Sequence, residues 1–144
     1  MILLGAAALA AGCGGEPDAV ADKDAVLRFE LDEYTITPQV VRVVAKTIPM
    51  EIKLVATNKG RLTHNVTVEP MPENAVVQPD ESVIVVERKP LGRTPTAQPG
   101  QTVRSDPEEP ILIVPGEYRL SDSIGNHDNL GQYGTLIVEN EPGP

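Results

Sequence analysis

From Val26 to Glu139 the chain is a succession of short apolar runs separated by proline, glycine and charge. "MEIKLVATN" has the clearest pattern. Met50, Ile52, Leu54 and Ala56 share one parity and Glu51 and Lys53 the other, the mark of a strand with one buried and one wet face. "HNVTVE" continues it, with His64, Val66 and Val68 on one side, so His64 begins a strand and leans toward the core. "VLRFELDEYTITP" alternates through Leu27, Phe29 and Leu31, then shifts phase to Tyr34 and Ile36, which predicts a strand with a bulge or break. "VVRVVA" at 40–45, "ILIV" at 111–114, "EYRLSD" at 117–122 and "GTLIVE" at 134–139 read as further strands. Between Pro70 and Pro110, "SVIVVE" at 82–87 reads as an inner strand, followed by a long irregular loop and a short edge strand in "QTVRS" at 101–105. No 3.6-residue apolar period persists for three turns, so no long helix is expected. An all-β sandwich of about 7–8 strands is therefore predicted.

Composition narrows the picture. The 144 residues suit one domain with a real core, and fourteen prolines with twelve glycines fit many turns rather than helices. With no Trp, one Phe and three Tyr the core must be aliphatic, and an aromatic binding platform is not expected. A net charge of −9 repels phosphates, so no nucleic acid is expected as a partner. The charge permits a basic protein partner, and nothing in the pattern requires more than a monomer.

The single cysteine ends the apolar stretch "MILLGAAALAAGC". This run is too short to span a bilayer, which takes roughly 20 helical residues, but has the length of the apolar part of an export signal. "LAAGC", with Leu9 and small residues at 10–12 before Cys13, resembles the bacterial lipoprotein signal, whose processed cysteine carries lipid. That resemblance implies an export signal at 1–12 and lipidation at Cys13; by composition the Gly-, Ala- and acid-rich residues 13–25 read as a flexible tether, and the apolar pattern places the folded domain at 26–141. The resemblance also implies an exported protein, anchored to the membrane in the bacterial periplasm or on the outer face of the cell envelope. The other reading of the run is an uncleaved apolar terminus or an ordinary signal cut elsewhere. A lone cysteine excludes an intramolecular disulfide.

The chemistry concentrates in "LSDSIGNHDNLGQYG", Leu120 to Gly134. Asp122 shares the parity of Tyr118 and Leu120 and so extends an apolar face. A carboxylate there must be paired, hydrogen-bonded, metal-bound or neutralised. The partners at hand are the chain's only two histidines, His127 and His64.

These pieces resemble the cupredoxin family of blue copper proteins. The likeness lies in "EYTITP", in Asn58, Gly60 and the "HN" of His64 and Asn65, and in Pro115, Gly116 and Tyr118 leading into a loop ordered like the family's "C....H....M.G". It implies a Greek-key β-sandwich. It also implies that His64 and His127 are the two histidine ligands, that Asp122 stands where the thiolate ligand falls, and that Gln132 stands where the axial methionine falls, with Gly134 closing the loop. A blue site needs a thiolate on copper, and Gln is a known alternative axial ligand. The resemblance with these changes implies a non-blue copper site in a protein that transfers electrons or handles copper, with a redox or copper-carrying protein partner. Two other readings stay open. The two-His, one-carboxylate set suits Zn(II) or Fe(II), or the fold carries no metal and Asp122 pairs with one or both histidines in a binding or structural module. No third histidine, nucleophile elbow or phosphate loop suggests an enzyme. The Arg88–Arg93 cluster and the Ser105–Pro110 acidic segment read as solvated loops.

Overall fold

The computed structural model describes residues 25–71 and 89–142, with the backbone of 19–20, 76–77 and 83–84. In chain order its strands are β1 (Ala19–Val20), β2 (Val26–Asp32), β3 (Thr35–Thr37), β4 (Val40–Ala45), β5 (Met50–Asn58), β6 (Thr67–Pro70), β7 (Val76–Val77), β8 (Val83–Ile84), β9 (Gly92–Arg93), β10 (Thr102–Arg104), β11 (Ile111–Ile113), β12 (Gly116–Ser121) and β13 (Tyr133–Asn140). Among the described residues the only helix is a 3₁₀ turn at Asp128–Leu130.

Two sheets form the sandwich. One runs β1-β4-β13-β12-β6-β9; the other runs β10-β5-β2-β3, with β11 also on β5. The all-β sandwich expected from the alternation is the fold observed. β5 organises the second sheet: β2 lies parallel to it, while β10 and β11 pair antiparallel with its two halves. Its alternation is realised as expected, with Ile52, Leu54 and Ala56 buried and Glu51 and Lys53 exposed. These side chains join Leu27, Phe29 and Leu31 of β2, Val41 and Val43 of β4, Leu120 of β12 and Leu136 and Val138 of β13 in one aliphatic core. Each fully buried leucine stabilises the fold by about 1.5–3 kcal/mol. The Tyr118 hydroxyl donates to the Val114 carbonyl (2.6 Å) and accepts from its N–H (3.2 Å), which satisfies the one polar atom of that buried ring.

Three expectations need correction. The phase shift after Leu31 is the break and not the bulge, and it ends the strand: the chain reverses, and β2 and β3 form a hairpin paired Leu31↔Ile36 and Asp32↔Thr35 around a two-residue turn, Glu33-Tyr34. The turn is closed with Tyr34 at φ 66°, a conformation usually left to Gly or Asn, so no turn residue advertised it. His64 does not begin β6, which starts at Thr67; it forms an isolated bridge with Ala97 instead. The expected inner strand at 82–87 is described only at Val83–Ile84, which pairs with β7 in a two-stranded ribbon outside both main sheets. The remainder of that segment lies outside the described residues, as do the expected export signal and Cys13. Within the expected tether, Ala19–Val20 pair in parallel with β4.

Register brings the site together. Asn58, the last residue of β5, is level with Leu31 at the end of β2, and Ser121, the last of β12, is paired with both Thr67 and Tyr133. The β2–β3 turn, the loop into His64 and the β12–β13 loop consequently meet at one end of the sandwich.

Candidate metal centre

Asp122 follows directly on β12, and the parity that points Tyr118 and Leu120 inward buries it completely. Its Oδ1 accepts from the Ile124 N–H (2.8 Å), starting a loop in which the His127 carbonyl accepts from both Leu130 and Gln132 N–H. The loop closes where the Asp122 N–H donates to the Gln132 carbonyl (3.2 Å). Gly134 follows because a Cβ there would overlap the carbonyl oxygen of Gln39, the residue just before β4.

Asp122 Oδ2 lies 2.7 Å from His64 Nδ1 and 3.0 Å from His127 Nδ1. The ring centroids of the two histidines are 5.0 Å apart. His64, Asp122 and His127 are the group among the described residues whose donor atoms lie close enough to hold one metal ion, all within 4.8 Å of one another. The buried carboxylate is thus answered by both histidines, through the same atom of each ring.

Gln132 is also fully buried, and its side-chain N–H₂ donates to the carbonyls of Asp32 (2.9 Å) and Thr35 (3.0 Å). Two carbonyl acceptors settle which end of the amide is nitrogen. The other end, Oε1, is buried with no hydrogen-bond partner. A buried amide oxygen left without a partner costs about 1–3 kcal/mol, and a cation is one way to recover that cost. Two imidazole nitrogens and a carboxylate oxygen fit a divalent ion of intermediate hardness such as Cu(II) or Zn(II). They supply no sulfur for Cu(I).

The neighbouring segments explain the spacing motifs. The Asn58 side chain donates to the Leu62 and Ala97 carbonyls and accepts from the Gly60 N–H, folding the loop that leads into His64. Asn65 holds the His64 and Asp122 segments together by a reciprocal pair: its Nδ2 donates to Ser123 Oγ and its Oδ1 accepts from the Ser123 N–H, both at 2.8 Å. The ring of Tyr34 meets His127 edge-on at 5.7 Å.

One site residue escaped the sequence reading. Glu33, in the β2–β3 turn, lies 2.9 Å from His64 Nε2 through its Oε1. Its carboxyl is held down at about 2, first by the His64 hydrogen bond and then by the Leu62 N–H, so it is ionised at neutral pH. Nothing in the pattern around "EYTITP" marked Glu33 as the residue that meets the histidine.

Fold and site together describe a cupredoxin-type sandwich with a two-histidine, one-carboxylate cluster at its loop end. Solved structures share that fold. Reduced auracyanin from Roseiflexus castenholzii is 13% identical over 82% of this chain and 98% of its own, with a TM-score of 0.57. Auracyanin B is 16% identical over 89% of this chain and 93% of its own, TM-score 0.58. Auracyanin A of Chloroflexus aurantiacus, described as a "blue" copper protein, is 15% identical over 79% of this chain and 99% of its own, TM-score 0.53. At these identities the likeness is one of fold. No protein-family model matches the chain, and no curated protein matches it in sequence.

Proposed function

We propose that this protein binds Cu(II) at the cell envelope through His64 Nδ1, His127 Nδ1 and the Asp122 carboxylate, with Gln132 Oε1 as a further oxygen donor. The observation that carries the reading is the convergence of both ring Nδ1 atoms, from the only two histidines in the chain, on one buried carboxylate oxygen. The auracyanin likeness supports electron transfer or copper handling as the role, with Asp122 in place of the thiolate. Oxygen donors favour Cu(II) over Cu(I), so the potential falls below that of a thiolate site and the colour is weak. The part of this reading that concerns location, export with a lipid on Cys13, rests on the amino-terminal sequence alone; fatty-acid labelling lost in Cys13→Ser tests it, and unchanged labelling refutes it.

A second reading is favoured by the distances. Two donors about 2.0–2.1 Å from a tetrahedral ion stand roughly 3.3 Å apart, whereas 2.7 and 3.0 Å are hydrogen-bond lengths. In this reading protons hold the cluster and the sandwich is a metal-free binding module. Equilibrium dialysis against Cu(II) separates the two: the first requires one tightly held equivalent, lost in both His64→Ala and His127→Ala, and the second requires none.

A further inference from the structure

Glu33 lies in a two-residue turn where the turn itself has no use for a carboxylate. The surrounding backbone is nevertheless arranged around that group. Its Oε1 accepts from the Arg61 N–H (2.8 Å) and the Leu62 N–H (3.0 Å), consecutive residues in the loop that leads into His64. A Cβ on Gly60 would overlap the same oxygen, so glycine is what lets the carboxylate lie against this loop. The third neighbour of Oε1 is His64 Nε2. The His64 ring is wholly buried, with a carboxylate oxygen at each nitrogen: Glu33 at Nε2, Asp122 at Nδ1.

This arrangement constrains the proton on His64. An oxygen that already accepts two backbone N–H groups has no proton of its own to give, so a ring nitrogen at 2.9 Å must be the donor. We infer that Glu33 is a positioning residue that keeps the proton of His64 on Nε2, and thereby presents Nδ1 toward Asp122 and His127 as the donor atom. The consequence for metal rests on the copper reading above: a carboxylate on the far nitrogen of a histidine ligand fixes the ring and raises its basicity, and losing such a partner typically weakens metal binding about 10- to 100-fold. The hairpin serves the cluster at other points too, since Gln132 is held by the carbonyls of Asp32 and Thr35 and His127 meets the Tyr34 ring.

The test uses imidazole ¹⁵N spectra of the metal-free protein at neutral pH, with His127→Ala to assign the two rings, followed by Cu(II) titration. In the wild type, His64 Nε2 carries a proton. Glu33→Gln keeps it there, because the amide oxygen still accepts, whereas Glu33→Ala and Gly60→Ala let the Nδ1–H tautomer, donating to Asp122, take over. Copper affinity falls about 10- to 100-fold in Glu33→Ala and is largely restored in Glu33→Gln. An unprotonated Nε2 in the wild type, or a Glu33→Ala protein with the wild-type His64 spectrum, overturns the inference; so does Glu33→Ala with unchanged copper affinity. A wild type that takes up no Cu(II) overturns the copper reading, while the metal-free spectra still decide the tautomer.

Discussion

The two histidines offer the same ring atom to the same carboxylate oxygen, yet the protein supports them differently. His64 is wholly buried, has a carboxylate at each nitrogen, and exchanges backbone hydrogen bonds with Ala97 in both directions. His127 sits at the start of a 3₁₀ turn, its side chain 13% exposed, with the edge of Tyr34 against it. One histidine is part of the folded core and the other is carried by a loop nearer the surface. The contrast teaches that the cluster is anchored in the core by His64 and closed on its more exposed side by His127.

The largest change is expected at the atom the histidines share. Asp122→Cys supplies a thiolate between the same two imidazoles, and with Cu(II) an intense visible charge-transfer band should appear that the wild type lacks; an intensely blue wild type would break the assignment of Asp122. Next comes the asymmetry itself. His64→Ala leaves the Asp122 carboxylate buried with half its support gone and should cost about 3–5 kcal/mol in urea unfolding. His127→Ala opens the loop to water and should cost about 1 kcal/mol, although both variants lose copper. Equal losses of stability would remove the distinction. Gln132→Leu deletes two hydrogen bonds to the hairpin carbonyls and should destabilise by about 1–3 kcal/mol, with weaker copper retention; an unchanged midpoint would mean that the amide does not tie the hairpin to the loop.

The smallest effect is a pH dependence on the His64 side alone. Glu33 titrates near 2 in the folded protein against 4.5 ordinarily, chiefly through its hydrogen bond with His64. The folded state therefore binds this proton less readily than the unfolded chain. Its contribution to stability is complete above 4.5 and is lost as pH falls toward 2. Glu33→Gln should flatten that limb of the acid-unfolding profile, and His127→Ala should leave it in place; an identical limb in wild type and Glu33→Gln would contradict the shift.

The His64 and His127 positions differ also in how far the chain announces them. β5 could be located from its alternation because one face is buried and one is wet, and Asp122 could be placed inward by counting from Tyr118. The site loop was legible because its groups lie close in sequence: Asp122, His127 and Gln132 fall within one connection. The support of His64 was not, since it comes from a turn 31 residues upstream whose reversal depends on Tyr34 adopting φ 66° and not on any Gly or Asn. For the same reason His64 was placed in β6, when its actual pairing is with Ala97, 33 positions away. Local periodicity reports burial; it does not report which distant loop a side chain meets.

The central claim, that His64, Asp122 and His127 hold one Cu(II), is tested most directly by electron paramagnetic resonance of the protein after copper loading and removal of excess metal. One retained equivalent, with hyperfine coupling from two imidazole nitrogens and no intense visible band, is the predicted result. Protein that emerges without copper, or with copper whose spectrum is unchanged in His64→Ala, would contradict it.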